Sequence, residues 1–161
     1  MRKVRQELGL LRLPSDDLLR TGPIIKLEIG NPSDHARTAT VNALIDTGAA
    51  FTAINPQLAQ NCRLIQRSQK RIHVLGDLGQ EDAKEYPEFS ASIRFPEADL
   101  HPFRVVGIVA CPIFERKFSC LLGRDILKYW EFTYSGQLGQ FSIRETIEPK
   151  SRNLDKLSRS G

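Results

Sequence analysis

Cysteine is scarce in this chain. Cys62, Cys111 and Cys120 are the full set, an odd number without the paired spacing of a metal site. That excludes a disulfide framework as the organising device and favours a reducing compartment. Long apolar runs are missing too. Leu8 to Leu13 is interrupted by Gly9 and Arg12 and follows the charged start Met1-Arg2-Lys3-Val4-Arg5-Gln6-Glu7, too short and too polar for a secretory leader. No stretch reaches membrane-spanning length, so no membrane partner is expected and the expected location is cytoplasmic. Aromatic residues are only 7% of the chain, and none sits in a basic cluster of the kind that stacks bases. A net charge of +4, with lysines and arginines scattered or near the two ends, does not make a nucleic-acid footprint. His35, His73 and His101 stand apart from one another and from any ligand quartet. Neither a metal nor an organic cofactor is expected, and no cysteine has the partnered histidine of a thiol nucleophile.

What is present describes one ordinary globular domain. The 161 residues are 40% hydrophobic and 26% charged. Residues 1–21 read as an N-terminal extension, either a flexible tail or one with a helical turn at Ser15-Asp16-Asp17-Leu18-Leu19 capped by Ser15. Residues 22–146 hold the folded pattern, and 147–161 form a polar tail expected to be disordered. Ile25, Leu27 and Ile29 alternate with Lys26 and Glu28, which predicts a half-buried strand. A turn at Gly30–Asp34 follows, then a strand from about Thr38 to Ile45 and a third over Ala49 to Ile54. Pro56 to Asn61 predicts a short helix with proline at its first position. Arg71 to Leu75 is strand-like and reaches a glycine-bracketed tip, Gly76-Asp77-Leu78-Gly79. The return, Tyr86 to Phe95, puts Phe89, Ala91, Ile93 and Phe95 on one face. Phe103 to Ala110 and Cys120 to Leu122 are apolar strands, Asp125 to Trp130 has helical spacing, and Glu131 to Arg144 closes as a hairpin. Many short strands and one late helix predict a mostly β, barrel-like domain.

The chemistry concentrates in Ala43-Leu44-Ile45-Asp46-Thr47-Gly48-Ala49-Ala50. An apolar strand delivers a lone carboxylate, and a carboxylate set into apolar surroundings is costly unless held by partners. Gly48 permits a tight turn and Thr47 offers a hydroxyl to a neighbouring strand. Two readings of the triplet stand: a plain turn, since Asp and Thr bond locally, or an acid-base group placed by its surroundings. The second stretch, Cys120-Leu121-Leu122-Gly123-Arg124-Asp125-Ile126-Leu127, favours the latter.

Taken in this order, the two stretches resemble the retropepsin-like aspartic proteases. Asp46-Thr47-Gly48-Ala49 with Thr52 beyond matches the first family motif. Leu121-Leu122-Gly123-Arg124 matches the second, with the helix behind it. The likeness covers about Pro23 to Arg144, and the ends lie outside it. It implies a homodimer with one catalytic Asp46 from each chain, acting on a peptide or protein substrate as an aspartic endopeptidase. It also implies a cross-dimer grip by Thr47, a substrate-facing carbonyl at Gly48, close packing at Gly123 and structural hydrogen bonds from Arg124. Asp125 is expected as a helix N-cap. The tip Gly76-Asp77-Leu78 stands where the family keeps its flap, and with Gly48, Ala49 and Ala50 is expected to meet the substrate. Ile54 is expected in an apolar subsite.

Departures from the family pattern are specific. Ala50 stands where viral members often carry an acid, which leaves Arg124 in need of another partner. Asp77 polarises the tip. A rival reading keeps the fold and the dimer but not the activity, as a peptide-binding or interaction module. It differs in one respect that is simple to measure: such a module has no cleavage for Asp46→Asn to remove.

Overall fold

The computed structural model describes residues 10–12, 15–73, 83–115 and 117–146. The first strands follow the expected alternation. In β2 (Ile24–Asn31) Ile25, Leu27 and Ile29 are buried while Lys26 faces solvent. β2 pairs antiparallel with β3 (Asp34–Ile45), which starts earlier than its apolar residues require. The reason lies in the turn: Asn31 Oδ1 accepts from Ser33 N at 2.9 Å and Asp34 Oδ1 from Ala36 N at 3.1 Å, so pairing begins at once along a polar, exposed segment.

The third strand is shorter than expected. Only Ala53–Ile54 forms β4, because residues 46–51 are drawn into a turn and bends. α2 (Pro56–Asn61) has proline at its start, as the sequence predicts. β5 (Ile65–His73) and β6 (Ala83–Arg94) run antiparallel toward the tip segment, which lies outside the described residues together with Gly76, Asp77 and Leu78. β7 (Phe103–Ala110), β8 (Cys120–Leu122), α3 (Arg124–Leu127), β9 (Trp130–Ser135) and β10 (Gln140–Glu145) complete this part of the chain. α3 is shorter than the spacing over Asp125–Trp130 suggests, since Trp130 already starts a strand and is buried against aromatic rings.

Among the described residues seven strands form one sheet in the order β2-β3-β8-β4-β7-β6-β5, and β2 also pairs with β6. The pairings therefore return on themselves. Most neighbours are antiparallel, but β3–β8 and β4–β7 are parallel. This matters for function: Ile45 lies opposite Leu122, so Asp46 and Gly123 leave adjacent parallel strands at the same end.

Leu27, Ile29, Ile54, Ile93, Phe103, Ile108, Leu122 and Ile126 are essentially closed to solvent and anchor the core. Phe95 meets Trp130 edge-on at 5.1 Å between ring centres and Phe103 at 6.2 Å, a packing that suits the ring quadrupoles. Ile54 is fully buried here and has no surface to offer a subsite, a correction that follows from its place at the end of β4.

The lead-in adds two ordered elements, of which the helix follows one of its two expected readings and the strand was not expected. β1 (Leu10–Arg12) pairs antiparallel with β10 at the edge of a three-stranded sheet, order β1-β10-β9. α1 (Ser15–Thr21) is longer than a single turn and places Leu18, 1% exposed, in the core. Gly22 stops it: at φ 77° its N–H donates to Leu18 O at 3.0 Å, a left-handed C-terminal cap.

Candidate active site

Asp46 follows directly from β3 and is half-buried. Its backbone N–H still donates to Leu122 O across the parallel pair, at 3.0 Å. Its Oδ1 then accepts from Gly48 N at 2.8 Å and Ala49 N at 3.2 Å. This Asp turn is why the chain leaves the sheet after Ile45 instead of continuing as a strand. Thr47, Gly48 and Ala50 are exposed and Ala49 is half-buried, so the turn presents one open face.

Gly123 lies beneath that turn. A Cβ there would fall 2.4 Å from Phe51 C, 2.6 Å from Phe51 O and 2.9 Å from Phe51 N. Its φ of −86° suits any residue, so the demand for glycine is purely one of space. Arg124 follows and turns back to the first loop. Its Nη1 donates to Thr47 O at 2.8 Å and Gly48 O at 3.0 Å, and its backbone N–H donates to Ala49 O at 2.9 Å. The partner that Ala50 cannot supply is thus the main chain of the Asp46 loop itself.

Asp125 is not the N-cap of α3. Gly123 holds that position without a side-chain cap, and Asp125 lies in the first turn with its carboxylate aimed at Thr52. Oδ2 accepts from Thr52 N at 2.9 Å, and Oδ1 from Thr52 Oγ1 at 2.8 Å and Ile126 N at 2.9 Å. Thr52 is wholly buried, and its hydroxyl oxygen accepts in turn from Gly123 N at 3.1 Å. Every side-chain polar group in this knot has a partner, which is the condition for burying it. Burial pushes the Asp125 carboxyl above its ordinary range, opposed by the Thr52 and Ile126 hydrogen bonds and by the charge of Lys70.

Lys70 reaches this region from β5. Its Nζ stands 4.3 Å from the centre of the Phe51 ring and 3.0 Å from Glu88 Oε1. Burial acts to raise the Glu88 carboxyl, but hydrogen bonds from Ser68 and Lys70 and the charges of Lys70 and Arg67 together hold it lower than usual. The cysteines take no part. All three are free, and burial pushes their thiols up, Cys120 furthest, with the Asp125 charge adding to the effect. Among the described residues no cluster of three or more His, Cys, Asp or Glu is placed to hold a metal ion.

Of the residues singled out from the sequence, Asp46, Thr47, Gly48, Ala49, Ala50, Gly123 and Arg124 come together at one end of the β3–β8 pair. The roles of Thr52, Asp125 and Lys70 did not emerge from sequence. Thr52 was visible as part of the first motif, whereas Lys70 gives no local signal.

This arrangement has relatives. Residues 36–129 match the family model described as "gag-polyprotein putative aspartyl protease", and the chain belongs to that family. Among solved structures the chain is similar to a retropepsin-like aspartic protease from Rickettsia conorii. That match has a TM-score of 0.52 at 15% identity and covers 89% of this chain and 97% of the other. The protein is mostly β with the retropepsin-like fold. Weaker similarity extends to the EIAV protease in complex with an inhibitor (TM-score 0.41, 18% identity, 68% of this chain and 88% of that one). It also reaches the retroviral protease-like domain of Ddi1 from Leishmania major (TM-score 0.40, 13% identity, 78% and 96%). The search of curated proteins returned no match. Among the described residues, no helix is long and apolar enough to cross a membrane.

Proposed function

We propose that this protein is an aspartic endopeptidase, active as a homodimer in which each chain supplies one Asp46. The observation that carries the proposal is the meeting of the two motif loops. Asp46-Thr47-Gly48 and Gly123-Arg124 leave adjacent parallel strands, and Arg124 ties the second loop to the carbonyls of the first. One chain offers a single aspartate in this setting, while peptide hydrolysis of this type uses two. Two carboxylates in contact cannot both ionise cheaply and share one proton, as in aspartic-protease dyads generally. The ionised member takes a proton from a bound water as the oxygen attacks the scissile carbonyl, and the other donates to the carbonyl oxygen. The resulting gem-diol collapses to acid and amine with a proton passed to the leaving nitrogen, and no acyl-enzyme forms.

The exposed face of the turn suits both partners. Thr47 faces outward for a hydroxyl-to-backbone grip across the dimer, and Gly48, Ala49 and Ala50 lie open to an extended peptide bound as an added strand. The segment containing Gly76, Asp77 and Leu78 is assigned the flap role on its place between β5 and β6. The pairing circuit β2-β3-β8-β4-β7-β6-β2 supports a barrel for the domain at 22–146, with residues 1–21 as a lead-in whose Leu18 packs into its core and 147–161 as an extension. Three free cysteines fit a reducing, cytoplasmic setting.

The test is digestion of an unbiased peptide mixture from acidic to neutral pH, read by mass spectrometry, with Asp46→Asn in parallel and dimerisation followed by ultracentrifugation. Cuts made by wild type and missing from Asp46→Asn are expected. A folded dimer that makes no Asp46-dependent cut at any pH would overturn the protease reading and leave a binding module.

A further inference from the structure

The Asp125–Thr52 knot lies behind the reactive loop, and its bonding is strongest when the carboxylate is charged. Asp125 accepts from three donors, Thr52 N, Thr52 Oγ1 and Ile126 N. The direction of the Thr52 hydroxyl is fixed by its other bond: the oxygen accepts from Gly123 N, which leaves its hydrogen for Asp125 Oδ1. A proton added at Oδ1 would set two hydrogens between the same pair of oxygens. A proton at Oδ2 would take one of that oxygen's lone pairs and its charge, leaving it a weaker acceptor for the Thr52 N–H. Either way the buried donors are held less tightly than by the charged carboxylate.

The consequence reaches Asp46 through a short span of chain. Ala49 O is bound by Arg124 N, Asp46 N is bound to Leu122 O, and the Phe51 backbone lies against Gly123. Asp125 fixes the remaining corner, at Thr52. From these contacts we infer that Asp125 is a positioning residue whose ionised carboxylate holds the Asp46 loop in its working shape, so that acidification slackens the loop and lowers activity. This inference rests on the protease reading above.

The groups bearing on Asp125 set where that transition falls. Lys70 from β5, itself held by Glu88 of β6, favours the charged form. The Cys120 thiol of β8 is pushed up by burial and by Asp125, and stays neutral. Arg124, next in sequence, directs its guanidinium to Thr47 and Gly48. Burial outweighs the favourable contacts and places the transition above the ordinary carboxylate range. Stability and activity then respond to pH in opposite senses. A carboxyl raised in the folded state keeps its proton while the unfolded chain has already lost one. Folding stability from this group is therefore full below the unfolded value of 3.8 and declines as pH rises through the folded one. Activity rises over that same window.

The experiment uses the full chain and a fluorogenic peptide chosen from the Asp46-dependent cuts, with Asp46→Asn as the blank. The pH profiles of kcat/KM and of urea unfolding are compared for wild type, Asp125→Asn and Lys70→Gln. Asparagine, like the neutral acid, is uncharged and presents one strong acceptor oxygen. Asp125→Asn is expected to match wild type at the acid end and to lack its rise, ending about fivefold lower at the upper plateau, in kcat more than KM. Its stability should also lack the wild-type decline. Lys70→Gln should move the wild-type rise to higher pH. A constant ratio of Asp125→Asn to wild type at every pH would overturn the inference while leaving the protease intact. If Asp125→Asn does not fold, Lys70→Gln decides alone, and an unmoved rise overturns the inference. Loss of all Asp46-dependent cleavage in wild type would instead overturn the protease reading, and the inference with it.

Discussion

Replacing Gly123 by alanine should damage the protein in a way that space alone dictates. Its φ of −86° and ψ of 178° are ordinary extended values, so alanine meets no backbone strain there. The new methyl, however, would stand 2.4 Å from Phe51 C, and ordinary contact begins near 3.4 Å. The two loops must therefore part by about 1 Å, and because the obstacle is main chain, no side-chain rotation relieves it. Overpacking of this kind costs about 1–3 kcal/mol, and the backbone clash puts this case at the upper end. The loss of glycine's freedom in the unfolded chain offsets about 0.5 kcal/mol. A net loss of about 2 kcal/mol should lower Tm by about 4–8 °C in a chain of this size. Activity should fall further than stability, since misplacing reacting groups by about 1 Å costs on the order of a hundredfold. The assay is urea unfolding beside kcat/KM, with Gly136→Ala as reference, where the added methyl meets only the Tyr134 ring at 3.2 Å. Wild-type stability and turnover in Gly123→Ala would refute the reasoning, because they would mean the loops are not in contact.

Three further outcomes follow from the same geometry. Thr52→Val keeps the shape but strands Gly123 N–H and removes a donor from Asp125. It should destabilise by about 2–3 kcal/mol in urea unfolding, with Thr52→Ser much milder. Leu18→Ala should cost about 2–4 kcal/mol, because a residue of the lead-in is 1% exposed within the core; an unchanged unfolding midpoint would mean that α1 is not docked. Glu88 has a lowered carboxyl, so its contribution to stability is present above the unfolded value of 4.5 and disappears as pH falls through the folded one. Glu88→Gln should flatten that part of the stability profile, read by unfolding at stepped pH.

What could be read from the sequence was local. The alternation in β2 is an intrinsic pattern, and Pro56 marks its helix wherever it is placed. Asp46 and Gly123 were visible because each sits where an apolar strand stops, a signal contained in a few consecutive residues. The expectation of a strand over Ala49–Ile54 failed through a local competitor, the Asp46 carboxylate, which takes the Gly48 and Ala49 N–H groups before the sheet can. β5 gave no pattern over its first residues because nearly all of its side chains are exposed, and pairing with β6, not burial, makes it a strand.

Asp125 shows the opposite limit. An acidic residue at the start of a helix is a sound capping signal, and local propensity offers nothing better. The structure gives that carboxylate a partner 73 residues away, because a parallel pairing sets β8 beside β3 and β4 packs antiparallel on β8. No window of sequence contains both ends of that bond. The same pairing explains why the loop needs it. A lone Asp turn at the end of a strand is held by two main-chain donors, and its next residues, Thr47 and Gly48, face outward. Such a loop gains a fixed shape only from behind, where Gly123 admits its backbone, Arg124 holds its carbonyls and Asp125 grips Thr52. Fixing a reactive carboxylate while leaving its face open therefore puts the demanding chemistry on the buried side, and there the carboxylate of Asp125 makes the grip depend on charge.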